Sequence, residues 1–149
     1  MEHAIRLLYD GEMKYPTDYD CVWLAYDERG AVGAMITAGP GVIPAAVLYG
    51  AIEVAEIESA ILTLPETANA KVMRRKGDLS SFIALCRRGL FIYDWTDIYK
   101  PISLQTGAYE LVAIPDTPIS TAALPSALRS AAAPLSGGTL IGIPSIHVR

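Results

Sequence analysis

The segment DYDCVWLAYDERGAVGAMITAG, residues 18–39, contains two apolar stretches on either side of the turn-forming sequence DERG. In the first stretch Val22, Leu24 and Tyr26 occupy alternate positions, which is the two-residue period of a β-strand. The second stretch alternates in the same way, and Gly30 at the end of the turn accepts the positive φ that hairpin turns often need. The pattern predicts a β-hairpin with strands near residues 21–26 and 31–37.

Two helices are predicted after the hairpin. An apolar stripe with helical spacing begins at Val54, and Pro65 prevents its continuation. In the next stretch Asp78 is the expected N-cap of a helix with one apolar face, and Gly89 suits the C-terminal exit of that helix. The sequence therefore predicts helices near residues 52–64 and 78–88.

The C-terminal half adds further strands and one more helix. The stretches LFIYDW and AYELVAIP are rich in branched and aromatic residues and predict strands near residues 90–95 and 108–114. LPSALRSAAAP predicts a short third helix, and GTLIGIPSIHV predicts a last strand. The order of elements predicts one α+β domain over residues 1–149, with a mostly antiparallel sheet covered by two to three helices.

The composition favours a soluble protein that binds a protein partner. Of the 149 residues, 52% are hydrophobic and only 19% are charged, so a partner, or a second copy in a homodimer, would cover apolar surface. The N-terminus lacks the features of a secretory signal. The most apolar run is broken by Pro44 and Glu53 before it reaches the roughly 20 residues that span a bilayer. We expect a cytoplasmic protein without membrane contact.

Acidic and basic residues are unequally divided along the chain. Residues 1–70 hold eleven acidic and three basic side chains, a net charge of −8, whereas residues 71–149 hold five and nine, a net charge of +4. Either these charges mix in space on a solvated surface, or the acidic half forms a surface that attracts a basic protein. Nucleic acid is not expected as a partner, because the first half is acidic and the basic cluster KVMRRKGD is short and lacks interleaved aromatic residues.

Asp94 and Asp97 are the natural candidates for acid–base catalysis, because they form a close acid pair directly behind a strong strand pattern. Residues three apart point to opposite faces of a continuous strand, so the pair needs a bend near Thr96 to share a ligand. Capping of the turn and contact with a partner are the two alternatives.

The remaining candidates for chemistry are weaker. A metal site needs more ligands than the aspartate pair, and His3 and His147 lie near opposite ends of the chain. Cys21 and Cys86 are far apart and are interpreted as small core residues. The loop TAGPG, residues 37–41, resembles a phosphate-binding loop, but its proline removes an N–H donor and no Lys-Ser/Thr pair follows. We predict no catalytic residue, no metal and no cofactor.

Tyr93, Trp95 and Tyr99 surround the two aspartates in the sequence. Tyr and Trp are the side chains most often found as anchors of protein interfaces, and the alternative is that they fill the core. Acids beside exposed aromatic residues would favour a basic partner. The predicted partner-binding residues are Glu53, Glu56, Glu58, Tyr93, Asp94, Trp95, Asp97 and Tyr99.

Three stretches of the chain together resemble a known family. In order, they are VWLAYDERGAVGAMITAGPGVIP, FIALCRRGLFIYDWTD and YELVAIPDTPI. This succession of a Trp-bearing strand, a D-x-x-G turn, a TAG-type loop, a helix and two strands resembles small bacterial immunity proteins, the cytoplasmic antidotes paired with toxins of polymorphic or type VI secretion systems. The resemblance implies a protein without catalysis that binds its cognate toxin and blocks the toxin's active site or substrate access.

Two other functional classes stay open. A small hydrolase would use Asp94 or Asp97 and would bring both into one cleft with His147. A small-ligand-sensing module would use the loop at residues 37–44 and would have an apolar pocket beneath residues 39–41. The activity of the opposed toxin also stays open, because a basic nuclease suits an acidic antidote while NAD-consuming and ADP-ribosylating toxins are equally compatible with one.

Overall fold

The structure, a computed structural model, describes residues 16, 19–74 and 77–148 of the chain. His3, which the sequence analysis weighed as a metal ligand, lies outside the described residues. The architecture below is that of the described part.

The predicted hairpin is confirmed. Strand β1, Val22–Tyr26, pairs antiparallel with β2, Val32–Ile36. The turn between them closes on Gly30, which has a φ of 83°, and on Asp27, whose carboxylate accepts the backbone N–H of Ala31 at 3.0 Å. Almost every residue of both strands is buried, so the hairpin lies inside the molecule.

The chain then crosses to the next strand of the sheet through two predicted helices. Both are confirmed with shorter bounds. Two further elements were not predicted, a one-turn helix before the first helix and a short outer strand between the two. Asp78 lies two residues before the second helix and its carboxylate accepts the N–H of Ser80 at 3.0 Å, so it stabilises the helix start from one position further out than predicted. The elements are α1, Ala45–Leu48; α2, Val54–Ile61; β3, Ala70–Val72; and α3, Ser80–Cys86.

The C-terminal half contains the predicted two-strand meander and third helix. The strands are connected by two 3-10 turns, at residues 96–99 and 102–104. The predicted last strand is confirmed only as a two-residue pairing near the C-terminus. The elements are β4, Phe91–Asp94; β5, Tyr109–Pro115; α4, Ser126–Ala131; β6, Ala133–Pro134; and β7, Ser145–Ile146.

These strands form one mixed sheet in the order β3-β5-β4-β2-β1-β6, and β7 also pairs with β5. Four of the strand pairings are antiparallel, while β2 with β4 and β1 with β6 are parallel. The predicted α+β class is thus confirmed, and the described residues form a single domain. The parallel β2–β4 pairing is a consequence of the long crossover, because that connection returns the chain to the same end of the sheet.

One hydrophobic core unites the sheet with the helices. Trp23, at its centre, donates its indole N–H to the Tyr109 hydroxyl at 3.2 Å, and this hydroxyl donates to the Val42 carbonyl at 2.8 Å. Both buried polar tips are thereby satisfied. None of the helices in the described ranges combines the length and the apolar character that crossing a bilayer requires.

Tyr93 and Trp95 belong to this core, so the prediction that they contact a partner is wrong. Tyr93 is completely buried, its hydroxyl donates to the Ile143 carbonyl at 2.7 Å, and burial raises its pKa to about 12. Trp95 is 8% exposed and stands edge-on to the Tyr109 ring, with the ring centroids 5.0 Å apart. Side chains packed in this way offer no surface to another protein.

Candidate functional site

The segment that follows β4 presents an exposed group of apolar side chains. Ile98 is 45% exposed, Tyr99 74%, Ile102 87% and Leu104 64%, all within seven consecutive residues. Single exposed apolar residues are ordinary, but a contiguous group is typical of an interaction surface. We call these four side chains the apolar ridge.

The buried carboxylate of Asp97 fixes the backbone beneath the apolar ridge. One carboxylate oxygen accepts the N–H of Thr106 at 2.9 Å, and the other accepts the N–H of Gly107 at 2.7 Å. Burial alone would raise the pKa of Asp97, but the two N–H donors and the ammonium of Lys100 outweigh it and hold that pKa below its ordinary value. Asp97 therefore closes the loop as an ion, and the capping alternative is the one realised.

Lys100 and Glu110 add a second closure of the same loop. The Lys100 ammonium pairs with the Glu110 carboxylate and lies 3.6 Å from Asp97, and Glu110 also accepts a hydrogen bond from the hydroxyl of Thr96. The hydrogen bond from Lys100 is the main reason that the pKa of Glu110 is lowered. Gln105 donates from its amide to the carbonyls of Asp97 and Lys100. Hydrogen bonds and ion pairs thus anchor both ends of the loop that carries the apolar ridge.

A cleft of about 910 Å³ adjoins the apolar ridge. Tyr99 belongs to both, since its ring forms part of the ridge and also lines the cleft. The cleft mixes charged, polar and apolar groups. Its lining consists of Asp20, Ala38, Met73, Arg74, Gly77, Asp78, Ser81, Phe82, Asp94, Thr96, Tyr99 and Lys100.

One wall of the cleft is built around an ion pair. The guanidinium of Arg74 lies 2.5 Å from the carboxylate of Asp94, which is almost completely buried at the end of β4. The same guanidinium lies over the ring of Phe82, 5.1 Å from its centroid. Asp94 thus has its charge matched within the chain, and stacking on the aromatic ring holds Arg74 in place.

Asp20, two residues before β1, also lines the cleft. Its carboxylate accepts the backbone N–H of Ala38 at 2.7 Å, which holds Ala38 at a φ of 50° although it is not a glycine. The buried hydroxyl of Thr37 accepts the N–H of Cys21 at 3.0 Å and ties the same loop to β1. Burial, together with the nearby charge of Asp94, raises the pKa of Asp20.

Three further acidic residues lie at the start of α2 and within it. Glu53 and Glu56 are exposed, and Glu58 is half-buried. Burial, with the charge of Asp20 as a second cause, raises the pKa of Glu58. Among the described residues, neither Asp20 nor Glu58 forms an ion pair. Asp20, which lines the cleft, and Glu58 are thus neighbouring acids from the first half of the chain.

The arrangement required by a hydrolase is not formed in the described cleft. Asp94 lines the cleft, but Asp97 and His147 do not. Asp97 already bonds two backbone N–H groups, which leaves it poorly suited to proton transfer. Both cysteines are buried, and burial raises the pKa of Cys21 to about 11 and that of Cys86 to about 12, so neither is a ready nucleophile.

The pocket that a sensing module would need is not formed directly beneath Gly41 of the TAGPG loop, although Ala38 of the same loop lines the cleft. A Cβ on Gly41 would lie 2.7 Å from the Tyr109 hydroxyl and 2.8 Å from the Thr37 carbonyl, so protein atoms already fill that space. In the described ranges, no group of three or more His, Cys, Asp or Glu side chains is placed to hold a metal ion.

Comparison of the chain with models of protein families, with curated proteins and with solved structures found no match.

Sequence reasoning identified part of this site. Of the predicted partner-binding residues, the structure exposes Tyr99, Glu53 and Glu56, whereas Asp94 and Asp97 are buried in structural ion pairs and hydrogen bonds. The other members of the apolar ridge were missed. The available signal was the sequence DIYKPISLQ, in which apolar residues follow one another in a turn-prone segment without the period of a helix or a strand.

Proposed function

We propose that this protein is an immunity protein, which binds a cognate bacterial toxin in the cytoplasm and neutralises it by blocking its active site or substrate access. The apolar ridge is the surface that contacts the toxin. No catalytic step is assigned to the protein itself.

The observation that carries this proposal is the exposure of four large apolar side chains on a loop whose two ends are anchored by hydrogen bonds and ion pairs. A ridge that is already ordered before binding loses little conformational entropy in a complex, and this raises affinity without further contacts. Asp97, Lys100 and Glu110 provide that order through bonds that close the loop. Large apolar side chains exposed on an anchored loop favour a protein partner.

The exposed acids support a partner whose contact surface is positively charged. Glu53, directly before α2, and Glu56 on α2 are exposed, and Asp20 lines the cleft next to the apolar ridge. Such acids speed encounter with a basic surface, while the apolar ridge supplies short-range affinity. A toxin with a basic surface therefore fits both features.

The experiment is growth rescue by co-expression with the toxin encoded by the neighbouring gene. The parent protein should restore growth, and a double variant with Ile102→Asp and Leu104→Asp should not, because it places two charges at the contact. Ile143→Asp is the matched control, since Ile143 is also an exposed large apolar residue but lies outside the ridge. Failure of the parent to rescue growth, or full rescue by the folded ridge variant, would contradict the proposal.

A further inference from the structure

We infer that the cleft beside the apolar ridge receives a basic side chain, an arginine or a lysine, from the protein segment that covers the ridge. The inference rests on the proposed function, because the segment belongs to the toxin. It assigns Asp20 as the residue that accepts the cation.

The first support is the continuity of the two features. Tyr99 is shared between them, and Met73 and Phe82 give the cleft apolar walls next to its charged groups. Arginine and lysine side chains combine a long apolar stem with a charged tip, so they fit a cleft that has apolar walls and a polar end. A volume of about 910 Å³ lies within the range of ligand-binding clefts and accommodates such a side chain together with its backbone.

The second support is the way that charges are paired inside the cleft. Its two described basic residues are neutralised within the chain, Arg74 by Asp94 and Lys100 by Glu110 and Asp97. The carboxylates of Asp20 and Asp78 also line the cleft, and neither forms an ion pair among the described residues. The described lining thus carries an excess of negative charge, which an anionic occupant would meet unfavourably.

The third support distinguishes Asp20 from Asp78. Asp78 is exposed and is committed to the N–H of Ser80 at the start of α3. Asp20 lies near the carboxylates of Asp94 and Glu58: after burial, the charge of Asp94 contributes to the raised pKa of Asp20, and that of Asp20 to the raised pKa of Glu58. A cation beside Asp20 would relieve this repulsion. A carboxylate offers about four acceptor positions, so the bond from Ala38 leaves capacity for it.

The experiment uses two small probes on the full chain, acetyl-leucyl-arginine amide and its citrulline counterpart, which has nearly the same shape but no charge. Binding is followed by the amide NMR signals of Ala38, Gly39 and Gly77, which lie in or next to the cleft. The arginine probe should shift these signals saturably and bind at least about fivefold more tightly than the citrulline probe, as expected for a partly exposed charge-assisted hydrogen bond.

Asp20→Asn should abolish that preference while leaving the fold intact, because an asparagine carbonyl still accepts the N–H of Ala38. Glu28→Gln, which removes one charge from the exposed hairpin turn, is the matched control and should bind like the parent. Equal binding of both probes, absence of saturable shifts, or an unchanged preference in Asp20→Asn would each overturn the inference. Growth rescue by the parent protein tests the proposed function separately, so a failure of the probes together with successful rescue rejects the cleft assignment alone.

Discussion

The Asp97 carboxylate and the backbone N–H of Gly107 lie 2.7 Å apart and join the two ends of the loop that carries the apolar ridge. The bond spans ten residues, and the Lys100–Glu110 ion pair closes the same segment a second time. The buried Asp97 carboxylate therefore contributes to the order of the loop that carries the exposed apolar surface.

Asp97→Asn should loosen the ridge loop. The variant keeps one acceptor for two N–H donors and loses its ionic contact with Lys100, so we expect a decrease of about 1–3 kcal/mol in the free energy of unfolding. Amide hydrogen exchange at Thr106 and Gly107 should accelerate by more than exchange in β1. Glu28→Gln, in the exposed hairpin turn, is the control. Unchanged exchange at both amides would show that Asp97 does not hold the loop.

Trp95→Ala should destabilise the whole protein. The indole is buried against Tyr109, and removal of a buried tryptophan leaves a cavity that typically costs about 3–5 kcal/mol. Trp95→Phe retains much of the ring contact and should cost less. Urea denaturation of both variants measures the difference. A Trp95→Ala variant as stable as the parent would contradict the placement of Trp95 in the core.

Asp27 and Glu58 should make opposite contributions to the pH dependence of the free energy of unfolding. Burial opposes ionisation of Asp27, but N–H donors from Ile141, Ala31 and Arg29 outweigh it and lower the pKa of Asp27. A lowered pKa contributes stability above the unfolded value of about 3.9 and loses it as the pH falls through the folded pKa. Asp27→Asn should therefore cost most at neutral pH, and its deficit should shrink in acid.

Glu58 should behave in the opposite way, because burial and Asp20 raise its pKa. A raised pKa gives stability below the unfolded value of about 4.3, which is lost as the pH rises through the folded pKa. Glu58→Gln should thus stabilise the protein at neutral pH relative to the parent, and the gain should vanish in acid. Urea denaturation of both variants between pH 3 and 7 checks the two signs. Parallel curves for parent and variants would contradict both assignments.

Reversal of the exposed acids on α2 should change the rate of complex formation. Long-range attraction mainly raises the association rate and is screened by salt. Glu53→Lys with Glu56→Lys should therefore slow association with the toxin and flatten its salt dependence, while the thermal melt stays like the parent's. Glu28→Lys, in the hairpin turn, serves as the control reversal. If charge reversal leaves the association rate at low salt unchanged, these glutamates do not contribute to the interface.

The elements that local pattern specifies could be predicted from the sequence. The hairpin, α2, α3 and the β4–β5 meander follow from apolar spacing and turn residues, which act over a few positions. The two-residue strands β6 and β7 could not be bounded, because so short a pairing depends on the neighbouring strand rather than on its own sequence.

The sequence could not decide between core and interface for Tyr93, because Ile92, Tyr93 and Asp94 are buried in succession and both faces of β4 are therefore covered. A strand covered on both faces has no solvent-facing side that alternation could reveal. The apolar ridge escaped prediction for a different reason. Its exposure depends on bonds from Asp97 to residues 106 and 107 and from Lys100 to Glu110, and no local spacing records them.

The most direct test of the central claim is the dissociation rate of the complex with the neighbouring gene's toxin, measured for the parent and for a Tyr99→Ala, Ile102→Ala double variant. Truncation of interface anchors typically costs about 2–4 kcal/mol and acts mainly on dissociation. The variant, folded like the parent by thermal melt, should dissociate at least about 30-fold faster, with an association rate within about threefold of the parent's. An unchanged dissociation rate in the folded variant would show that the apolar ridge is not the toxin-binding surface.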